Sequence, residues 1–479
     1  MKGKWLFLVV SIVFFTGCQA ETNAEPEPQE EESTITAAAI QFNPELYEKE
    51  KNVDALLQET EKAFENGADL VVAPEMATTG YMYEEREDIA PFVEQIPGET
   101  TEKFSELTKE YDGHIVFGMP EEEKETELYY NSAVLIGPDG YMGKYRKTQM
   151  WETEMHWGAW GDLGVPVFDT EIGRIAINIC MDSAYVEPAR LAGIKDADIL
   201  AFPTNSSAQA ISSLPARAQQ NGMYVVSANR SNTEKGFHMV GGSAVWSPQG
   251  EKLAEAPVVM EEEEAIEETN IEYAEIEQSD YENDNKERVE ERRPELYKEL
   301  GQRISPWDET KNTDEKNITT FTPQYEPKPG DKKSNLKKIE KLAVSASQEE
   351  DFKLTVLPEM SLTGPLENEK SSQLRKLAEN ENGKTMQSMA KLAEKYNTAI
   401  VYGFIEKEGN SLFNSAMLLD ENGEKAGKYR KSHLSEEDKE WAAAGDKLSV
   451  FETDTLGKIG LLIGEDALYP ETAGGSEPC

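Results

Sequence analysis

Cysteine is almost missing from this 479-residue chain: Cys18, Cys180 and Cys479 are its three thiols, too few for a disulfide framework. Histidine is scarce as well, with four residues and no metal-ligand spacing among them, so no metal site is expected. Basic side chains number 48 against 92 acidic ones, and the resulting formal charge of −44 repels nucleic acid and anionic lipid. The internal Lys-rich run from Lys332 to Lys341 reads as the start of an amphipathic helix, which leaves nucleic-acid binding without a surface. Long apolar runs are confined to the N-terminus, so no membrane span is expected later in the chain.

What is present is enough to fold. Hydrophobic residues make up 38% and aromatic residues 9%, and the length suggests two domains of ordinary size. At the N-terminus Lys2 and Lys4 precede WLFLVVSIVFF, followed by Thr16, Gly17 and Cys18. This order resembles a bacterial lipoprotein signal, with Phe15 where leucine is commonest. The resemblance implies a signal segment at 1–18, a lipidated Cys18, and a mature protein that is exported and held by lipid to the outer face of the bacterial cytoplasmic membrane. An ordinary signal peptide or a short membrane anchor is the alternative. Residues 19–34, acidic and proline-containing, read as a disordered tether.

The chain also repeats itself. LVVAPEMATTG at 70–80 recurs as LTVLPEMSLTG at 354–364, and YNSAVLIGPDGYMGKYRKTQ at 130–149 recurs as FNSAMLLDENGEKAGKYRKSH at 413–433. Glu75 precedes Lys147 by 72 residues, as Glu359 precedes Lys431; Lys147 precedes Cys180 by 33, as Lys431 precedes Gly464. AINICMDSAYVEPARLAG aligns with IGLLIGEDALYPETAGG, IxMD over IxED, so Gly464 stands where the first copy has its one internal thiol. One domain is thus read as written twice: at 35–302 and, after a linker at 303–316, at 317–479, where the second copy is incomplete beyond the Cys180-like segment.

Periodicity places these motifs on an α/β scaffold. ITAAAIQF and ADLVVAP read as strands joined by an amphipathic helix over 47–67, and HIVFGMP, YYNSAVLIG and YMGKYRK as further strands, with PDG as a turn. RIAINIC reads as a strand whose last residue is Cys180. A helix through Glu187 to Ala192, the strand DADILAFP, the helix AQAISSLPARAQQNG and the strands MYVVSAN and GGSAVWS follow. Glu75, Lys147 and Cys180 thereby fall at or near strand ends, where open α/β folds gather reacting groups.

With PEMATTGY around the acid, GKYRKTQ around the lysine and CMDSAYVEPARLAGIKDADILAFPTN around the thiol, residues 35–302 resemble the nitrilase, or carbon-nitrogen hydrolase, superfamily. RAQQNGMYVVSANRSN, GGSAVWSPQGEKLAEA and RRPELYKEL match its later segments. The resemblance implies an α/β fold, the αββα four-layer sandwich of the nitrilase type, here duplicated with an incomplete second copy. It also implies hydrolysis of a non-peptide carbon-nitrogen bond in a small amide, N-carbamoyl compound or nitrile, without metal or organic cofactor. Carried over residue by residue, Glu75, Lys147 and Cys180 form the triad, and Met181 supplies a backbone N–H to the oxyanion. Glu154, seven residues past the lysine, is the second acid, with Glu152 as a rival. Tyr81, Trp151, Tyr185 and Asn205 are candidate substrate-binding residues, and His156 and Trp157 lie near enough in sequence to join them.

The chemistry stands on its own terms. A free thiol is mostly protonated at neutral pH, so a nucleophilic cysteine needs a base or a positive field beside it. Glu75 can take that proton and return it to the departing nitrogen, while the Lys147 ammonium stabilises the oxyanion. Gly464 cannot form a thioester, so the second copy is expected to be inactive and to serve as a built-in partner. The chain would then be an intramolecular pseudo-dimer, with a homo-oligomer as the alternative. The competing function is a non-catalytic surface lipoprotein that uses the fold for binding or scaffolding, with Cys180 an inert small hydrophobe. A thiol-reactive probe is expected to separate the two, labelling an active Cys180 faster at pH 7 than an unfolded thiol.

Overall fold

The computed structural model describes residues 33–207, 211–260, 266, 268–301, 317–348, 351–364 and 371–474. Cys18, the signal segment, most of the tether and the 303–316 linker lie outside them. Strand β1 (Thr34–Gln41), helix α1 (Lys49–Glu65) and β2 (Leu70–Val72) form a first crossover in which β1 and β2 pair in parallel. Val53, Leu56, Thr60 and Phe64 recur at helical spacing, which gives α1 one face to bury. Helix α2 (Glu99–Tyr111) leads to the antiparallel meander β3 (His114–Glu123), β4 (Leu128–Gly137) and β5 (Gly140–Arg146).

A second sheet follows. It contains β6 (Val167–Thr170), β7 (Gly173–Ile177), helix α3 (Glu187–Ile194), β8 (Ile199–Pro203), helix α4 (Leu214–Asn221) and β9 (Tyr224–Ala228). A short hairpin of β10 (Thr233–Glu234) and β11 (Phe237–His238) precedes β12 (Ala244–Trp246) and β13 (Lys252–Glu255). Strand β14 (Asn270–Glu277) then returns to the first sheet along β1, and helix α5 (Asp284–Glu290) follows. The sheet orders are β14-β1-β2-β3-β4-β5 and β13-β12-β9-β8-β7-β6.

Strand alternation shows the layering. Ala37 and Ala39 of β1 face the core between the sheets with Ile175 and Ile177, whereas Ala38 and Ile40 face Leu56, Phe64 and Phe104 of the outer helices. Ala189 and Ala192 of α3 with Leu214 and Ala218 of α4 cover the second sheet. Helices, sheet, sheet and helices are the four layers expected.

Two local expectations are corrected. Cys180 does not end a strand: β7 stops at Ile177, and Cys180 opens one 3₁₀ turn, Cys180–Ala184, at φ +44°. The apolar run continues because Ile179 is fully buried in that turn, and burial alone does not distinguish turn from strand. The helix expected over AQAISSLPARAQQNG is interrupted: Ile211 and Ser212 are helical, Ser213 is a turn, and α4 starts at Leu214 with a proline in its first turn; residues 208–210 are not described.

The C-terminal unit repeats the first sheet's pattern. Strands β15 (Thr320–Phe321), β16 (Leu354–Val356), β17 (Ala399–Glu408), β18 (Ser411–Leu419) and β19 (Lys425–Arg430) lie side by side in that order. Helices α6 (Lys332–Ala346) and α7 (Lys384–Tyr396) pack on the outer face, and α8 (Pro470–Gly474) comes last. Its second sheet is only the hairpin of β20 (Val450–Thr453) and β21 (Gly457–Gly460), and no described strand pairs with the other edge of β21. Val356 is accordingly 37% exposed, whereas its counterpart Val72 is wholly buried. The two units touch through charged and aromatic groups. Arg190 of α3 donates to both carboxylate oxygens of Glu471 (2.8 and 3.1 Å), Arg293 donates to Ser432 O and Gly445 O, and Tyr297 hydrogen-bonds His433.

Candidate active site

Glu75 sits three residues beyond β2, where Gly118 of β3 lets the chain pass closely: a Cβ there would lie 2.6 Å from Glu75 Cα. Lys147 follows the last residue of β5, and its N–H bonds Asn131 O on β4 at 2.9 Å. Glu154 lies in a 3₁₀ turn, Glu152–His156. The Lys147 ammonium donates to Glu75 Oε1 at 2.7 Å and to Glu154 Oε2 at 2.7 Å. Asn131 Nδ2 also donates to both carboxylates, at 2.7 Å to Glu75. All four side chains are at most 4% exposed. Glu152, the rival acid, is exposed, which leaves the place to Glu154.

Cys180 is held beside them by Asp182, whose carboxylate accepts from Ile179 N (2.8 Å), Tyr145 OH (2.8 Å), Thr148 Oγ1 (2.9 Å) and Gln149 N (2.9 Å). One side chain thus ties the Cys180 turn to the strand end that carries Lys147. The thiol lies 3.6 Å from Ser206 Oγ and 3.8 Å from Asn205 O. A cavity of about 330 Å³ opens onto it, lined by Tyr81, Trp151, Met181, Asn205, Arg217 and Phe237 among others. Of the expected pocket residues, Tyr185 is not in the wall: it is 45% exposed at the far end of the Cys180 turn. Trp157 is buried in an apolar cluster with Tyr83 and Tyr129, and His156 bonds the Glu84 carbonyl, so neither lines the cavity.

The charges are strongly coupled. Burial pulls the Lys147 ammonium down, but Glu154 and Glu75 outweigh it and hold the pKa well above the ordinary lysine value. Burial raises the Glu154 carboxyl, Lys147 opposes, and Glu75 adds to the rise. Burial and then Glu75 push the Cys180 thiol up to about 12, against Lys147. The resting thiol is therefore protonated at neutral pH. With the thiol held up in this way, labelling of Cys180 at pH 7 is expected to depend on the proton leaving as the carbon-sulfur bond forms.

The C-terminal unit holds a comparable cluster without the thiol. Lys431 contacts Glu359 (3.1 Å), Asp438 and Glu465, and Glu465 stands in the sequence place of Met181. Gly464 keeps the backbone twist of Cys180, φ +48° against +44°, and Asp466 accepts from Ile463 N and Tyr429 OH as Asp182 does from Ile179 N and Tyr145 OH. Glu359, Asp438 and Glu465 place carboxylate oxygens close enough for one cation, but the Lys431 ammonium already bonds all three. Sequence reasoning did not single out Asn131, Asp182 or Arg217. The first two stood inside repeated strings, NSA and IxMD over IxED, which was the signal available.

The family model described as carbon-nitrogen hydrolase matches residues 36–284 and 322–474. A nitrilase of Pyrococcus abyssi is 37% identical over 230 residues, covering 48% of this chain and 87% of that protein. A formamidase of Bacillus cereus is 32% identical over 235 residues, covering 47% of this chain and 70% of that protein. An amidase structure from Nesterenkonia sp. superposes with a TM-score of 0.46 at 22% identity, covering 56% of this chain and 96% of that one. With that model matching both units over most of the sequence, the chain belongs to the carbon-nitrogen hydrolase family.

Proposed function

We propose that the N-terminal unit hydrolyses a small amide, N-carbamoyl compound or nitrile through a Cys180 thioester, with Glu75 and Lys147 completing the triad and Glu154 supporting them. The observation that carries this reading is the buried Lys147 ammonium bridging two buried carboxylates next to a buried thiol that lines a cavity. Glu75 Oε2 is buried and has no hydrogen-bond partner among the described residues, so it is free to act as the base. As Sγ attacks the substrate carbon, Glu75 takes its proton and passes it to the leaving nitrogen. The charge on oxygen is met by Lys147 and the Met181 N–H. From an amide or N-carbamoyl compound, loss of ammonia or an amine leaves the thioester, which water activated by Glu75 cleaves; a nitrile first adds the thiol to give a thioimidate, and water added to that releases ammonia and leaves the same thioester. The similarity to a nitrilase and a formamidase supports this class of bond.

In this reading Cys18 carries lipid and holds the enzyme outside the cell, and Cys18→Ala should abolish lipid attachment. Unchanged detergent partitioning of that variant would count against the anchor. The C-terminal unit is a second, non-catalytic copy that acts as an internal partner; a monomer in size exclusion with light scattering supports that role, and a stable homodimer argues against it. The decisive assay measures ammonia release by the full chain from a panel of amides, nitriles and N-carbamoyl amino acids. Cys180→Ala should abolish turnover, and Glu75→Gln should lower it by on the order of 10²-fold or more. A panel with no release above the Cys180→Ala background would sink the proposal for those classes.

A further inference from the structure

The ion pair between Arg190 and Glu471 joins the two units at a point that leads back to the thiol. Arg190 sits on α3, the helix that follows the Cys180–Ala184 turn, and it is 4% exposed. Its ion-pair partner is Glu471 of α8, whose side chain is 12% exposed; Arg292 Nη1 stands 3.9 Å from the same carboxylate. A buried guanidinium stays charged and needs a counter-charge, and among the described residues the N-terminal unit supplies none. The other partners of Arg190 are Gln220 O at 2.7 Å and Asn221 Oδ1 at 3.2 Å, both at the end of α4.

Those two bonds make Arg190 a clamp between α3 and α4. Asn221 tightens it: its Nδ2 donates to Arg217 O at 2.9 Å, and Gly193 of α3 passes so close that a Cβ there would lie 2.9 Å from Asn221 Cβ. From α4 the connection returns to the Cys180 turn. Arg217 Nη2 donates to Ser183 O at 2.9 Å, and Ser213 Oγ, just before α4, donates to the same oxygen at 3.3 Å. Contacts therefore run without a break from Glu471 through Arg190, Asn221 and Arg217 to the backbone that carries the thiol.

The link is made in one direction. Aligning Cys180 with Gly464 sets Glu187 against Glu471 and Arg190 against Gly474. Glu187 is exposed and α8 carries no arginine to meet it, while a Cβ at Gly474 would lie 2.8 Å from Leu300 Cδ2. The pair that is made serves the unit with the thiol, and the same pair with roles exchanged, which would serve the unit without it, cannot form. We propose that Glu471 is a positioning residue for the Cys180 site: through Arg190 it fixes α3 against α4 and so holds the Cys180 turn in place beside Glu75 and Lys147. This rests on the Cys180 hydrolase reading and gives the C-terminal unit a definite part in it.

The test follows acetamide turnover and the pH profile of Cys180 capture by iodoacetamide, both on the full chain. Glu471→Gln should lower kcat by about tenfold and leave KM within about twofold, since a displaced nucleophile costs the reaction more than it costs binding. The capture midpoint should fall by about one pH unit, toward an ordinary thiol, as the loosened turn lets water reach the sulfur. Glu471→Asp should recover part of both. Arg190→Met with Glu471→Met removes the clamp without stranding a charge, so it should melt near the wild type and still show the lower kcat. Lys439→Met, which breaks the exposed contact to Glu291 between the same units, should change neither readout. Wild-type kcat and capture in Glu471→Gln or in the double methionine variant would overturn the proposal, as would an equal loss in Lys439→Met. In a chain whose wild type releases no ammonia, a shifted capture profile in Glu471→Gln would keep the positioning role and sink the hydrolase. Turnover that Glu471→Gln leaves intact, with an unmoved profile, would do the reverse.

Discussion

Lys147 is the residue on which the charge of the site turns, because it compensates two carboxylates that water does not reach. Lys147→Ala should lower the rate by on the order of 10²-fold or more through lost oxyanion stabilisation. It should also cost about 3–5 kcal/mol of stability at pH 8, since Glu75 and Glu154 are left buried and unpaired. The loss should be smaller at pH 5. Burial and Glu75 already raise the Glu154 carboxyl, and without the ammonium it takes up a proton that relieves the repulsion. Thermal melts of both proteins at the two pH values check this, and a loss independent of pH would contradict it. Cys180 offers a second check: its capture by iodoacetamide should be slow at pH 7 and climb about tenfold per pH unit toward the raised thiol pKa, whereas a plateau near pH 8 would mean an ordinary thiol. Glu75, Lys147 and Cys180 were legible in the sequence because each sits in a string of its own. Asn131, Asp182 and Arg217 were not, because what makes them matter is contact across strands and helices, and their residue types are common in loops and surfaces.

The strands themselves were legible, since β1 to β5 alternate or run apolar in a way that admits few other readings. What followed β7 was not. Asn178, Ile179 and Cys180 are as buried as a strand would make them, and the turn is dictated by the side chain of Asp182 reaching back to Ile179 N. The same device at Asp466 bends the chain at Gly464, which shows that the twist does not depend on the thiol. Restoring the thiol should nevertheless fail to restore chemistry. A Cβ at Gly464 would lie 2.8 Å from Glu359 Oε2, and Glu465 already occupies the ammonium of Lys431. The double variant Cys180→Ala, Gly464→Cys should therefore release no ammonia above background, as should the wild-type C-terminal unit. Turnover in that variant would show that the second cluster is a working site.

At the scale of the whole molecule, the repeat announced two related units, the second incomplete, but not which residues of that unit would be left exposed. Nothing in LTVLPEM distinguishes a covered Val356 from one left 37% exposed; that depends on strands elsewhere. The open side has a further consequence, for self-association. The outer edge of β21 offers backbone N–H and C=O groups with no described partner, the kind of row along which a second sheet can zip. Long-range repulsion between surfaces of formal charge −44 opposes such pairing, and it reaches about 8 Å at physiological salt but only about 3 Å at 1 M. Scattering mass should therefore rise as salt is added, contrary to the usual weakening of charge-driven contacts. Lys458, exposed on β21 opposite Glu452, is the ammonium that any incoming strand would have to dehydrate. Lys458→Val should move the onset of that rise to lower salt, and an onset left unmoved would locate the sticking surface away from this edge.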